Sequence, residues 1–363
     1  MSENKPKILV VSDVHLGSLD SEKGLFIQFL KRVVNGEFGS ELQVLIILGD
    51  FIDLCTDLPR TLLARKKIQE IFKLLLEIKE KMELVFLLGN HEIPVSGDFD
   101  EKFERRKKKY LNKFGNSNFK ELFNDELYYQ YALLKKENTD NILFLFNSRE
   151  QIENNPVKKV RIEDLDLDSD YECFLAHGYQ FESDVYRFFV AQFWKGLISN
   201  NKFEVKESYD YFWNQVIRNG RKIKPIRFKQ MKEELAKLKN KSIKSIDADF
   251  SGLNILEFNF IKNSMRVMKK WERASKPAYF LNEIKEFLED DDYDFSKINH
   301  VIYGHSHNKE ISYATINNQQ VEVVNDGAWQ HRQPSYVEIC GKGKVYLRTV
   351  ANNITPQNSI ISP

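Results

Sequence analysis

The sequence lacks most of the features that would assign it to a specialised class. Only three cysteines occur in 363 residues, Cys55, Cys173 and Cys340, far apart and without a CxxC pair. No disulfide framework follows from that set, which fits a reducing compartment. No run of about 18 apolar residues is present, so no spanning helix is expected. The opening Met-Ser-Glu-Asn-Lys-Pro has neither the positive start nor the long apolar core of a secretory signal, and the expectation is a cytoplasmic protein. Charge of one sign is missing too: 54 Lys and Arg against 53 Asp and Glu leave +1. That balance excludes a uniformly basic nucleic-acid coat, although not a local patch. With 42% hydrophobic and 29% charged residues, the chain is neither disordered nor fibrous. There is no internal repeat and no low-complexity tract.

What is present is an alternation of apolar runs and helical stripes. Lys7–Asp13, Gln43–Asp50 and Glu83–Asn90 are short runs rich in β-branched and aliphatic residues. Between them, Glu22–Asn35 and Thr61–Lys81 carry apolar residues at helical spacing. This βαβαβ rhythm argues for a parallel sheet covered by helices on both faces. The runs are continuously apolar, as doubly buried strands should be. Asp100–Phe114 reads as a helix with a solvated basic face. Further strands are expected at Ile142–Phe146, Val160–Leu165, Glu172–Gly178, His300–Gly304, Glu310–Ile316, Gln320–Asn325, Tyr336–Cys340 and Lys344–Val350. Between them, from about Ser183 to Phe295, helix formers and aromatics dominate. The division expected is a core over 1–182 and 296–351, an inserted helical domain over 183–295, and a tail over 352–363.

Five apolar runs end in metal-ligand residue types: Asp13-Val-His15, Gly49-Asp50-Phe-Ile-Asp53, Gly89-Asn90-His91-Glu92, His177-Gly178 and Gly304-His305-Ser-His307. In open α/β sheets the functional crevice lies at the carboxyl ends of the strands, where these turns would converge. Carboxylates, imidazoles and one amide without thiolates suit hard to borderline divalent ions. Asp13 and His15, like His305 and His307, stand at i and i+2 and would face one side of an extended strand end. Asp50 can bridge two ions. Each motif alone is weak or moderate, and a lone strand-end His is usually a satisfied polar residue. Five of the chain's seven histidines in this order are hard to obtain by chance. His300 is expected to begin a strand, and His331 to lie at most on the site rim.

The order DxH, GDxxD, GNHE, H, GHxH, spanning Asp13 to His307, resembles the calcineurin-like metallophosphoesterase superfamily. The resemblance implies a four-layer α/β/β/α sandwich and two divalent metal ions. It puts Asp13, His15, Asp50 and His307 on the first ion. It puts Asp50, Asn90, His177 and His305 on the second, with Asp50 bridging. His91 would be the catalytic imidazole and Asp53 its orienting partner. Two such ions clamp phosphoryl oxygens and acidify a bridging water, whose hydroxide attacks phosphorus in line without a covalent intermediate. Mn²⁺ is the first expectation for the metal, with Fe or Zn²⁺ as alternatives.

The bond cleaved is expected to be a phosphodiester, phosphomonoester or pyrophosphate. Ser/Thr phosphatases of the superfamily carry Arg after GDxxD, where this chain has Leu54. Its double-strand-break nucleases share the opening Asp13 to Gly17, but their capping domain follows the last histidine motif. An insertion between His177 and His305 is similar to the helical cap of the UDP-2,3-diacylglucosamine pyrophosphatases, which usually carry Asp where this chain has Tyr179. Between Lys202 and Lys276 stand 19 Lys and Arg against 9 Asp and Glu. That excess suits a polyanionic substrate, nucleotide-linked or lipid-linked, and basic residues interleaved with aromatics also suit single-stranded nucleic acid. The same aromatics equally form a cap's own core. The alternatives are therefore a nuclease on single-stranded or processed ends and, in another class, a metal-stabilised binding scaffold without turnover. The second should lack ligands, and none is missing.

Overall fold

A computed structural model describes residues 5–18, 20–53, 65–91, 128–152, 156–181, 277–289, 295–330 and 333–350. The basic stretches around Arg105 and Arg221, most of the expected insertion, Cys55, His331 and the tail lie outside the described residues. Among the described residues no helix is long and apolar enough to cross a membrane.

The chain begins with strand β1 (Pro6–Val11), helix α1 (Lys23–Val34), strand β2 (Val44–Leu48), helix α2 (Lys66–Lys81) and strand β3 (Glu83–Leu87). These strands pair in parallel, Val10 opposite Ile46 and Ile46 opposite Val85. β12 (Ser335–Cys340) adds antiparallel to β1, followed outward by β13 (Val345–Thr349), and β4 (Tyr128–Tyr129) closes the other side of this six-stranded sheet. The remaining strands form a second, seven-stranded sheet. They are β5 (Tyr131–Glu137), β6 (Asp140–Phe146), β7 (Lys158–Ile162), β8 (Glu172–Ala176), β9 (Ile298–Tyr303), β10 (Glu310–Ile316) and β11 (Gln319–Asn325). The order is β10-β11-β9-β8-β5-β6-β7, with β8, β9 and β11 parallel.

The expectation of helices on both faces of the first sheet is corrected. One face carries α1 and α2, which bury Phe26, Phe29, Leu30 and Val33, and Ile68, Ile71, Phe72, Leu75 and Ile78. The other face meets the second sheet. Ile8, Val10, Val44, Ile46, Val85 and Leu87 pack with Leu134, Leu143, Leu145, Leu175, Ile302 and Val324 in one core. Strand alternation explains the division, since odd and even residues of each strand point to opposite faces. The apolar pattern could not separate the cases, because a strand buried under a helix and one buried under a sheet are equally apolar; the sandwich that the motif resemblance implied is the one observed. The outer face of the second sheet packs against helix α3 (Pro277–Glu289) through Ile284, Phe287 and Leu288. The layers are helix, sheet, sheet, helix.

Strand β5 has no counterpart in the sequence reading. Its signal was the run Tyr131–Leu134 ahead of Asn138, which takes the left-handed φ of 57° in the tight turn joining β5 to β6. Between β10 and β11 the two turn residues, Asn317 and Asn318, both hold left-handed φ, at 50° and 64°.

One buried residue ties the helix-side core to the strand ends. The Trp329 ring lies 4.8 Å from Phe26 and 5.1 Å from Phe29, and its backbone N–H donates to the Asp13 carbonyl at 3.1 Å. Trp329→Ala should therefore lower stability by about 3–5 kcal/mol, read from denaturant unfolding.

Candidate functional site

The strand ends of both sheets meet at one edge of the sandwich. Beyond β1 and β2 the ladder continues: Asp13 N–H donates to Gly49 O at 3.0 Å, His15 N–H to Asp50 O at 2.8 Å, and Leu16 N–H to Phe51 O at 2.8 Å. Gly304 N–H donates to His177 O at 2.9 Å, which joins the ends of β8 and β9. Asp13, His15, Asp50, His305 and His307 all hold left-handed φ, between 48° and 66°. The extended strand end expected for Asp13-Val-His15 and His305-Ser-His307 is thus corrected: alternate residues are left-handed, and the chain turns at each. Such residues are costly without glycine and persist where surroundings over-determine them, which is common at functional sites.

Three groups of side chains result, each with its ligand atoms within 4.8 Å: Asp13, His15, Asp50 and His307; Asp50, His177 and His305; and His15, Asp53 and His91. Asp50 belongs to two of them. Its Oδ2 lies 3.6 Å from His15 Nε2, 3.4 Å from His177 Nε2 and 3.7 Å from His91 Nε2. Its Oδ1 accepts the His91 backbone N–H at 2.9 Å. Asp13 Oδ1 is 3.1 Å from His307 Nε2 and 3.6 Å from His15 Nε2, and the two Nε2 atoms are 3.0 Å apart. His91 Nδ1 meets Asp53 Oδ1 at 3.1 Å. Asn90 is buried at the end of β3 beside His91. His300 lies within β9, not at its start, and its Nε2 is 3.5 Å from Glu322 Oε2, away from these groups.

The donor set fits divalent cations. His177 Nδ1 is 2.8 Å from the Leu48 carbonyl, which can only accept, so Nδ1 carries a proton. In the neutral ring Nε2 then presents its lone pair toward Asp50 Oδ2, and two electron-rich atoms so placed are stabilised by a cation between them. Burial pulls the His15 imidazole down to about 4 against the opposing pull of Asp13 and Asp50, so it is neutral at neutral pH, the form that ligates a metal. Burial pushes the Asp13 carboxyl up, but His177 and His307 outweigh it and hold it well below the usual carboxylate range. Asp50 behaves alike, with burial outweighed by His91, His177 and His15.

Four polar residues around these groups escaped the sequence reading. Ser12 Oγ contacts Asp13 Oδ2 at 2.5 Å and also Asp326 Oδ1. Asn325 Nδ2 donates to Gly304 O at 2.9 Å and Ser306 Oγ at 2.8 Å, fixing the turn that carries His305 and His307. Gln180 bridges the sheets: its Oε1 accepts Gly178 N–H at 3.0 Å, and its Nε2 donates to Leu88 O at 3.0 Å and Gln130 O at 3.2 Å. The only sequence signal for Asn325 and Asp326 was their place at the end of an apolar run.

Residues 6–219, more than half of the chain, match the family model described as calcineurin-like phosphoesterase. No curated protein matches the chain.

Gly49 stands where no side chain fits. Its φ is 81°, and a Cβ there would come within 2.5 Å of His177 Cγ and 2.8 Å of Gly89 Cα. Gly49→Ala should cost about 1–3 kcal/mol from backbone strain alone, and the overlap should also displace His177. Thermal unfolding would read the first effect and divalent-ion titration the second.

Proposed function

The chain belongs to the calcineurin-like phosphoesterase family and is a metal-dependent hydrolase of phosphoesters, and from that premise we propose a dinuclear centre. Asp13, His15, Asp50 and His307 hold one divalent ion. Asp50, Asn90, His177 and His305 hold the other. The observation that carries this reading is Asp50 Oδ2, 3.6 Å from His15 Nε2 in one group and 3.4 Å from His177 Nε2 in the other. A single carboxylate oxygen between two donor groups is the arrangement of a bridging ligand. A carboxylate, amide and imidazole donor set without thiolate is open to Mn²⁺, Fe and Zn²⁺, of which Mn²⁺ is our first choice. When bound, the ions supply Lewis acidity that neutralises phosphoryl charge and acidifies water.

The protein's own groups then have distinct tasks. His91 is the catalytic imidazole. Asp53 Oδ1 accepts the hydrogen bond of the His91 Nδ1–H, which fixes the ring and stabilises the imidazolium, so Nε2–H can be delivered to the departing alkoxide. The His91 backbone N–H holds Asp50 Oδ1, which ties the acid and the bridging carboxylate to one turn. Water is the nucleophile, attacking phosphorus in line. The bond is a phosphodiester, phosphomonoester or pyrophosphate, and residues 183–295 select the substrate. The return of that segment through α3 onto the second sheet supports a rooting close to the strand that precedes His305. A second reading, a nuclease on single-stranded or processed ends, is favoured by the excess of 19 Lys and Arg over 9 Asp and Glu between Lys202 and Lys276.

Protein purified in Mn²⁺ buffer should carry two ions per chain by elemental analysis, and Asp50→Asn should lose both together. Loss of one ion with the other kept at full occupancy would contradict the bridge. His91→Ala should keep its metal yet lose roughly 10²–10⁴-fold in turnover on esters with poor leaving groups. The loss should shrink on nitrophenyl esters, whose leaving group needs no proton. Equal losses on both would remove His91 from the role of acid.

A further inference from the structure

Behind Asp13 stands a second buried carboxylate that the reaction does not use. Asp326 is 1% exposed and sits on the turn after β11. Its backbone is held on both sides, since its N–H donates to Tyr303 O at 2.9 Å and its carbonyl accepts Ser335 Oγ. Its side chain reaches Asp13 only through Ser12. Ser12 Oγ touches Asp326 Oδ1, lies 2.5 Å from Asp13 Oδ2, and is 3.3 Å from the Gly327 carbonyl. Gly304 closes the space beside them so tightly that a Cβ there would overlap Ser12 Oγ and Asp13 Oδ2.

The hydrogens do not suffice if both acids are ionised. A hydroxyl carries one proton, and here two carboxylate oxygens lie against it. One contact would be between bare oxygens, in a dry place where such contacts are costly. A further proton must sit on one of the two acids. Asp13 is the poor candidate: its Oδ2 already accepts the His305 backbone N–H at 2.8 Å, and its Oδ1 faces His15 and His307. Asp326 is the good one. Its Oδ2 is buried with no hydrogen-bond partner among the described residues, which is tolerable for the carbonyl oxygen of a neutral acid and expensive for a carboxylate. Burial, and then the Asp13 charge, push its carboxyl well above the usual range.

We propose that Asp326 is a positioning residue held as the neutral acid: its Oδ1–H donates to Ser12 Oγ, Ser12 donates to Asp13 Oδ2, and Asp13 Oδ1 is thereby aimed at His15 and His307. The brace makes the orientation of Asp13 independent of solvent. It also keeps a second negative charge out of a pocket that must accept an anionic phosphoester. Its consequence for function rests on the reading of Asp13 as a metal ligand, whereas the placement of the proton rests on the hydrogen-bond geometry around Ser12 and the burial of Asp326.

The test compares infrared difference spectra and Mn²⁺ affinity. At neutral pH, in chelated protein, the wild type minus Asp326→Asn difference should contain the C=O stretch of a protonated carboxylic acid, and that band should persist on adding Mn²⁺. Asp326→Asn keeps a donor for Ser12 and should bind Mn²⁺ close to wild type by calorimetry. Asp326→Ala and Ser12→Ala should weaken it by about ten- to a hundredfold. Absence of the acid band overturns the proposal, as does an Asn variant no better than the Ala variant. If no variant and not even the wild type binds Mn²⁺, the dinuclear reading fails, while the infrared band still decides where the proton is. Should Asp326→Ala fail to fold, Asp326→Asn and Ser12→Ala carry the comparison.

Discussion

Asp50 holds a carboxylate out of water, 1% exposed, with one oxygen turned to three imidazoles. An isolated ionised acid in such a place would cost many kcal/mol. Its neighbours must therefore be positive or metal-bound, and they must not move. The rest of the sandwich follows from that demand. Two sheets are needed because the partners of Asp50 come from both: His15 and His91 from the first, His177 and His305 from the second.

Rigidity at the strand ends comes from over-determination. Five ligand-type residues accept left-handed φ because the ladder between the β1 and β2 extensions, the His177–Gly304 bond and the Asn325 amide leave them no alternative. Trp329 carries that constraint into the helix-side core, where Phe26 and Phe29 clasp its ring while its N–H holds the Asp13 carbonyl. Gln180 does the same across the sheets, linking the turn after His177 to the end of β3 and to Gln130. A folded core thus sets the positions of side chains that would repel one another if free to relax.

Much of this was legible in the residues. The apolar runs gave most strand positions within a few residues, and helical spacing gave α1 and α2. The residue types at five strand ends named the chemistry, because few reactions need three aspartates, an amide and five imidazoles without a thiol. Other features were not legible. Periodicity alone could not distinguish the second sheet from a second layer of helices, since both bury the same alternate face of β1, β2 and β3; the four-layer sandwich came from the motif resemblance. Strand β5 hid because its apolar run is short and its turn is a single Asn-Thr pair.

What the sequence determined by itself is the order of elements and the identity of the groups at their ends, since periodicity and residue type are local properties. What the tertiary structure decided is which atoms face which. Asp326 lies 314 positions from Ser12, and no periodicity in the chain links them. They meet because β1 and β12 pair in one sheet while β9 and β11 pair in the other, and the turn joining β11 to β12 carries Asp326 across to the end of β1. Hydrogen-bond stoichiometry, and hence the placing of a proton, exists only once those two ends are in contact.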